Sequence, residues 1–185
     1  MAELRIVAGQ WRGRRFKVPA EGVRPTADKV REAWMSIIQQ KIPDARVLDL
    51  CAGSGALGLE SLSRGAMSCD FVEKDPMVLR TLQDNIALLG GTDRATVHKS
   101  DAVRFLEEQT GEMPAGPAWD LAFADPPYRL GIAEALATRW LAKPFATIFG
   151  VEHESWITLP SPETGPPPDR RVYGETALTF YRLPT

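Results

Sequence analysis

The chain has 185 residues and a mass of 20.4 kDa; 44% of the residues are hydrophobic and 25% are charged. These proportions are those of a folded globular protein, and they exclude a disordered or fibrous chain. The longest apolar run without a charge, residues 145–151, is far shorter than the roughly 20 residues of a membrane span, and the N-terminus lacks the pattern of a secretory signal. We therefore expect a cytoplasmic protein that crosses no membrane.

The formal net charge of −2 conceals a basic N-terminal block. Residues 1–31 carry eight Lys or Arg against three Asp or Glu, so this block has a charge of +5 and the remainder of the chain −7. A basic block on an acidic body favours contact with a polyanion at one end of the molecule. A solvated terminal extension explains the charge equally well.

The chain begins with two short apolar segments, residues 4–8 and 15–19, around a loop that contains glycine. This pattern is typical of a β-hairpin. A helix follows from Thr26, a suitable N-cap residue, and should end before Pro43. We therefore divide the chain into an N-terminal basic β-hairpin extension, residues 1–25, and a main domain, residues 26–185.

From residue 45 onwards, short apolar runs alternate with amphipathic stretches. Such alternation predicts parallel strands joined by helices that cover both faces of the sheet. The predicted strands are residues 46–50, 70–73, 95–98, 119–124 and 146–152, and the predicted helices are residues 56–64, 76–89, 102–109 and 131–141. At the end of the chain, two further strands surround a glycine-containing turn without a crossover helix, which predicts a closing antiparallel hairpin at 171–173 and 177–183. The predicted fold class is α/β and Rossmann-like.

A glycine-rich turn connects the first strand of the predicted sheet to its first helix. Gly53, Gly55 and Gly58 satisfy the pattern G-x-G-x-x-G, which lets the backbone approach a ligand and directs helix amides towards it. The pattern alone is weak, because it fits a dinucleotide enzyme or a tight structural turn as well.

Acidic residues around this turn favour S-adenosylmethionine as the ligand. Asp49 precedes the turn, where a carboxylate would repel a pyrophosphate and attract the ammonium and sulfonium groups of that cofactor. Glu73 ends the second strand, at the distance of roughly 20 residues from Gly53 that is expected for an acid that binds ribose hydroxyls. Asp101 ends the third strand and is placed to accept a hydrogen bond from adenine, with the Ala102 amide beside it, although a helix N-cap explains Asp101 equally well.

A second motif, Asp125, Pro126, Pro127 and Tyr128, follows the fourth strand at the edge where open parallel sheets bind ligands. The prolines lack amide donors, which leaves the Asp125 carboxylate and the Pro126 carbonyl as acceptors. Two acceptors facing the amine of a nucleobase localise its lone pair on nitrogen, and Tyr128 can stack on the base. We therefore predict that these four residues are the catalytic turn of an amine methyltransferase.

These motifs resemble a known family. Residues 49–60 and 125–128 look like those of a class I S-adenosylmethionine-dependent methyltransferase that acts on an amino nitrogen, and residues 5–14 and 24–32 more narrowly resemble the bacterial RsmD family of 16S ribosomal RNA guanine-N2 methyltransferases. The resemblance implies a seven-stranded sheet and a target guanine in 16S rRNA, within the 30S subunit or an assembly intermediate and together with small-subunit ribosomal proteins. We expect a monomer.

The predicted site residues fall into two sets. The residues predicted to bind the cofactor are Asp49, Cys51, Ala52, Gly53, Ser54, Gly55, Gly58, Glu73, Lys74, Asp101, Ala102 and Asp125. The residues predicted to bind the RNA are Arg5, Trp11, Arg12, Arg14, Arg15, Arg24, Arg31 and Tyr128. The arginines would contact phosphates and Trp11 would stack on a base, although core packing explains Trp11 equally well. No metal site is predicted, because His98 and His153 stand alone, and a lone His is more often structural than a metal ligand.

Three alternatives remain open. The same chemistry can act on the N6 amine of adenine or on a protein glutamine, although Asn commonly replaces the first Asp of the turn in such enzymes. A nicotinamide oxidoreductase explains the glycines but leaves the Asp125 turn without a role. A non-catalytic RNA-binding assembly factor could retain the fold. The role of the proline-rich stretch from Pro160 to Pro168 is also open.

Overall fold

A computed structural model describes residues 1–20, 25–109 and 116–184. Within these ranges the chain forms nine strands and five helices, with single 3-10 turns after the first helix and before the fifth strand. The strands are β1 (Ala2–Arg5), β2 (Arg15–Val18), β3 (Arg46–Asp49), β4 (Ser68–Glu73), β5 (Ala95–Lys99), β6 (Trp119–Ala124), β7 (Ala146–Glu154), β8 (Asp169–Tyr173) and β9 (Thr176–Arg182). The helices are α1 (Pro25–Ile38), α2 (Ala56–Ser63), α3 (Pro76–Leu89), α4 (Ala102–Glu108) and α5 (Ile132–Ala142).

Strands β3 to β9 form one sheet in the order β5-β4-β3-β6-β7-β9-β8. The pairs from β5 to β7 are parallel, whereas β9 is antiparallel to both β7 and β8. The fold class predicted from the sequence is thereby confirmed. From β3 the chain proceeds outwards to β4 and β5, and then returns to pair β6 with the other side of β3. Ligands bind outside the carboxyl ends of strands at such a switch in strand order, so β3 and β6 mark the expected site.

Helix α3 shows how local sequence sets these elements. The Asp75 carboxylate accepts hydrogen bonds from the backbone N–H groups of Met77 and Val78, at 2.8 and 3.1 Å, and Pro76 occupies the first turn. Gly90 ends the helix with a φ of 77°, a conformation that favours glycine. The predicted range, 76–89, is therefore the observed one.

The core has two parts, one on each face of the sheet. On one face, α1, α2, α3 and the N-terminal hairpin pack together around side chains such as Trp34 and Phe71. On the other face, α4 and α5 pack around Phe105, Trp140 and Phe149. No helix in the described ranges is long and apolar enough to span a membrane.

The N-terminal hairpin is packed against the main sheet's helices. Its β1 strand is Ala2–Arg5 rather than the predicted 4–8, because Ile6 pairs with Gly13 and Arg14 at the base of the loop and the chain bends at Ala8 and Gly9. The buried Glu60 carboxylate of α2 accepts hydrogen bonds from the backbone N–H groups of Val7 and Ala8, at 3.0 Å each. Asn85 of α3 accepts a hydrogen bond from the Lys17 N–H at 2.9 Å and donates one to the Lys17 carbonyl at 2.8 Å. Both helices therefore hold the hairpin in place.

The structure corrects the prediction that Trp11 stacks on RNA. The side chain is only 4% exposed and belongs to the core cluster beneath the hairpin. The Arg94 guanidinium lies over the indole ring, 5.4 Å from its centroid, and the backbone of Gly91 lies close to the ring edge. Burial leaves no free ring face for a base, so the packing interpretation of Trp11 is the one the structure supports.

Candidate active site

A cavity of about 1040 Å³ opens at the carboxyl edge of the sheet, where the strand order switches. Its walls come from the turns that follow β3, β4, β5 and β6, and from the end of β7. The hairpin adds Leu4, Val18 and Pro19 to the wall, and α1 adds Ala27 and Val30. The hairpin is therefore part of the cavity as well as of the core.

One half of the cavity, which we call the cofactor side, is built from the turns after β3, β4 and β5. The predicted cofactor residues that line it are Cys51, Ala52, Gly53, Ser54, Glu73, Lys74, Asp101 and Ala102. Glu73 accepts hydrogen bonds from the backbone N–H groups of Gly53, at 3.0 Å, and Asp75, at 2.8 Å. A Cβ atom added at Gly53 would meet no atom within 4 Å, so the space beside this backbone is open to a ligand.

Three of the predicted cofactor residues, Asp49, Gly55 and Gly58, lie behind this wall. The Asp49 carboxylate is 2% exposed and accepts a hydrogen bond from the Gly58 N–H at 3.2 Å, which ties β3 to α2. The pKa of Asp49 is raised to about 7, chiefly by burial and also by the nearby Asp125 and Glu73 charges, against the lowering effect of that hydrogen bond. Asp49 therefore holds the loop that forms the cavity wall and is not itself part of the cavity surface.

Two further cofactor-side residues have particular surroundings. Burial raises the pKa of the Cys51 thiol, and neighbouring carboxylates act in the same direction, so Cys51 lines the cavity as an uncharged thiol. The Asp101 carboxylate accepts a hydrogen bond from the Arg104 N–H at 3.0 Å and caps α4, which confirms the N-cap interpretation while leaving Asp101 on the cavity wall.

The other half of the cavity, the substrate side, is formed by the turn after β6. Asp125, Pro126, Pro127 and Tyr128 all line it. The Tyr128 ring is 38% exposed, and its hydroxyl is hydrogen-bonded to Thr176 Oγ1 at 2.8 Å. Burial raises the pKa of Tyr128 to about 12, so the hydroxyl stays protonated. The ring is therefore held at its outer end while its apolar surface faces the cavity.

Asp125 has a carboxyl partner that the sequence did not identify. Glu152, on β7, lines the same cavity, and its carboxyl group lies within hydrogen-bonding reach of that of Asp125. Asp125 has accessible surface because it faces the cavity, but the cavity walls limit its contact with bulk water, and this desolvation raises its pKa to about 6. Burial, and next the Asp125 charge, raise the pKa of Glu152 to about 8.

The sequence contained a signal for Glu152. It was the last residue of the predicted strand 146–152, so it had the same position, at the carboxyl end of a parallel strand, as Asp49, Glu73 and Asp125. Carboxyl ends of adjacent parallel strands meet at one edge of the sheet. The β6–β7 pairing that brings Glu152 to Asp125 is a tertiary contact, and no short motif includes both residues.

The predicted RNA-binding arginines that the structure describes do not line the cavity. Arg5, Arg12 and Arg15 are exposed on the hairpin, whereas Arg14 donates hydrogen bonds to the carbonyls of Leu88 and Leu89 at the end of α3. Arg31 is largely buried and pairs with Asp28 at 3.6 Å. Arg24 lies outside the described residues. In the described part of the chain, no group of three or more His, Cys, Asp and Glu residues is arranged to hold a metal ion.

Comparisons with known proteins agree with this architecture. A family model described as Conserved hypothetical protein 95 matches residues 4–182. Ribosomal RNA small subunit methyltransferase D of Escherichia coli K12 is 38% identical over 187 residues, which cover 97% of this chain and 90% of that protein. The solved structure of a hypothetical protein from Thermus thermophilus superposes with a TM-score of 0.80 at 34% identity and covers 97% of this chain and 99% of that chain.

A more distant match concerns the fold alone. The Thermus thermophilus 16S rRNA N2 G1207 methyltransferase RsmC, solved in complex with AdoMet and guanosine, superposes with a TM-score of 0.69 at 20% identity, and the match covers 98% of this chain and 49% of that one. The nearer matches confirm the family resemblance indicated by the sequence motifs. Because the family model spans nearly the whole chain, the protein belongs to the family described as Conserved hypothetical protein 95, whose Escherichia coli relative is named ribosomal RNA small subunit methyltransferase D.

Proposed function

We propose that this protein transfers a methyl group from S-adenosylmethionine to the exocyclic N2 amine of a guanine in 16S ribosomal RNA. Relatives named small-subunit ribosomal RNA methyltransferases support the coarser activity, S-adenosylmethionine-dependent methylation of ribosomal RNA. The observation that carries the finer proposal is the acceptor turn on the substrate side, in the same cavity as the glycine loop and Glu73.

The cofactor side fits S-adenosylmethionine. Glu73, Asp101 and Ala102 line this side of the cavity. The Glu73 carboxylate would accept hydrogen bonds from ribose hydroxyls, and Asp101 and the Ala102 amide would contact the adenine ring. The buried Asp49 behind the loop would favour a cationic ligand over a pyrophosphate, because a positive charge in the cavity stabilises the ionised form of this carboxyl group. When bound, S-adenosylmethionine supplies an electrophilic methyl group on a positively charged sulfur.

The substrate side fits an aromatic amine. The Asp125 carboxylate and the Pro126 carbonyl would accept the two N–H hydrogens of the amine, which localises the nitrogen lone pair for attack in line with the methyl group. Tyr128, held through its hydroxyl, would stack on the base and fix its plane. A base inside the cavity must leave its stack, which favours a loop or a flipped nucleotide as the target.

The N-terminal extension, residues 1–25, is the proposed RNA-binding part. Arg5, Arg12 and Arg15 are exposed on the hairpin, whose Leu4 and Val18 line the cavity, and Arg15 also pairs with Glu3 at 3.5 Å. Phosphate contacts there would orient the RNA without selecting the base. We propose the 30S subunit or an assembly intermediate as the substrate, with ribosomal proteins as part of the recognised surface.

The test is to incubate the protein and methyl-labelled S-adenosylmethionine with naked 16S RNA and with 30S particles from cells that lack this enzyme. Mass spectrometry then maps the modified nucleosides, with the Asp125→Ala variant as the inactive control. We expect N2-methylguanosine at a single site and faster transfer to particles. N6-methyladenosine would replace the proposal with adenine chemistry, and no methylated nucleoside despite cofactor binding would favour a protein amide or a binding role.

A further inference from the structure

The carboxyl groups of Asp125 and Glu152 form a pair that cannot carry two charges near neutral pH. Asp125 and Glu152 directly follow the paired residues Ala124 and Val151 of β6 and β7, and both line the same cavity, so their carboxyl groups are neighbours. A carboxylate can only accept hydrogen bonds, so a bond between the two groups requires one proton. Two neighbouring carboxylates repel each other, which favours the state in which one of them keeps its proton. The pair then holds a single negative charge.

The surroundings of the two side chains place this proton on Glu152. Asp125 faces the open cavity, whereas Glu152 lies against the Trp34 ring, which is 1% exposed. A Cβ atom added at Gly150 would lie 2.4 Å from Trp34 Cζ3, so this glycine lets the indole pack closely on β7 beside Glu152. The higher pKa of Glu152, about 8 against about 6 for Asp125, agrees with this assignment.

The other groups around Glu152 do not supply a compensating positive charge. Tyr128, from the same turn as Asp125, and Trp34, from α1, contact the Glu152 carboxyl at 3.4 Å through an O–H and an N–H group. On β9, the register partner of Glu152 is the apolar Leu178. Within the described chain, no Lys, Arg or His forms an ion pair with Glu152.

We propose that Glu152 works in its protonated, uncharged form as a positioning residue for Asp125. Its O–H donates a hydrogen bond to one carboxylate oxygen of Asp125 and leaves the other oxygen free for the substrate amine. The proton stays on Glu152 throughout the reaction. This inference rests on the proposed function, because it takes Asp125 as the acceptor of an amine hydrogen.

The test compares single-turnover methylation rates of three variants with those of the unchanged protein from acidic to alkaline pH, on the RNA substrate described above. Glu152→Gln retains an uncharged donor, so we expect it to keep most of the rate at neutral pH. Glu152→Ala loses the donor, and we expect a rate about 10- to 100-fold lower, the effect of one lost hydrogen bond to a charged group. The affinity for S-adenosylmethionine should remain unchanged in both.

The alkaline part of the profile separates positioning from packing. Above about pH 8 Glu152 ionises and repels Asp125, so the rate of the unchanged protein should fall. Glu152→Gln has no group to ionise and should lose this decline. The matched control is Glu154→Gln. Glu154 lies on the same strand as Glu152, but its carboxylate accepts a hydrogen bond from the Arg129 N–H. This variant should keep the alkaline decline in rate.

Two results would overturn the inference. The first is a Glu152→Gln variant as slow as Glu152→Ala, which would mean that an ionised Glu152 is needed. The second is an alkaline decline in rate that persists in Glu152→Gln. Infrared difference spectra at neutral pH separate this failure from failure of the proposed function, because they need no RNA. A protonated carboxyl band present in the unchanged protein and lost in Glu152→Gln supports the inference. Its absence from the unchanged protein overturns the inference even where N2-methylguanosine forms.

Discussion

The two sides of the cavity hold their carboxyl groups in different ways. On the cofactor side, Glu73 and Asp101 accept hydrogen bonds from the backbone N–H groups of Gly53 and Arg104, both at 3.0 Å. On the substrate side, Asp125 has the Glu152 carboxyl as its hydrogen-bonding neighbour, and in the described part of the chain no backbone N–H donates to it. The first arrangement fixes the shape of the turns, while the second leaves a charged oxygen available to a ligand.

Because of this difference, cofactor binding and the chemical step should depend on different carboxyl groups. A carboxylate that holds a turn serves the loop and the ligand together, so its loss should weaken cofactor binding. A pair of neighbouring carboxyl groups has raised pKa values and holds no turn in place, so its loss should affect the chemical step. Substitutions on the two sides should therefore change different measured quantities.

A substitution on the substrate side should cause the greatest loss of methylation activity. Asp125→Ala should lower the methylation rate by roughly 10²- to 10⁴-fold, because the amine loses its charged acceptor. Calorimetry should show S-adenosylmethionine binding nearly unchanged. Asp120→Ala is the matched control, since this Asp lies on the strand that leads to Asp125 but pairs with Arg46 at 3.2 Å, away from the cavity wall. Loss of cofactor binding together with activity would mean that Asp125 has a structural role.

The second prediction concerns the affinity for the cofactor. Glu73→Ala removes the acceptor of two backbone N–H groups and the proposed ribose contact, and should raise the dissociation constant of S-adenosylmethionine by about 10- to 100-fold. At saturating cofactor the rate should change little. A slower rate with unchanged affinity would remove the distinction between the two sides.

A third prediction concerns the packing behind the cofactor side. A Cβ atom added at Gly58 would lie 2.3 Å from Phe71 Cε1, so Gly58→Ala must push α2 away from β4 and weaken the Asp49 hydrogen bond. We expect a loss of about 1–3 kcal/mol in the free energy of unfolding, measured by urea denaturation. Gly116→Ala is the control, because no atom lies within 4 Å of its added Cβ. Equal stability of both variants would contradict the close packing.

The smallest change is expected in RNA binding by the exposed arginines of the hairpin, which lie outside the cavity. Arg12→Glu and Arg15→Glu should weaken RNA binding and reduce the slope of log affinity against log salt by about one per lost phosphate contact, with the cofactor affinity unchanged. Arg14 is left intact, because its hydrogen bonds to Leu88 and Leu89 hold the hairpin on α3. An unchanged salt slope would remove this face of the hairpin from the RNA interface.

Much of the fold could be predicted because its signals are local. The N-cap Asp75, the first-turn Pro76 and the ending Gly90 define α3 within a few residues of the helix itself. The β1 strand was misplaced because its range depends on pairing with β2 and on the anchoring of the following residues by Glu60, which is distant in the chain. For the candidate site, the acidic strand ends were predictable, whereas the division into residues on the cavity wall and residues behind it was not.

The alternation of strands and helices, the glycine turn after β3 and the Asp125 turn after β6 could all be predicted from the sequence. Their signals are apolar periodicity, capping residues and prolines, which act on neighbouring residues. The burial of Trp11 beneath the hairpin and the approach of Glu152 to Asp125 depend on long-range packing and strand pairing. Burial and protonation depend on which distant segments pack together. A residue's type and spacing along the chain therefore leave both undetermined until the strand order is known.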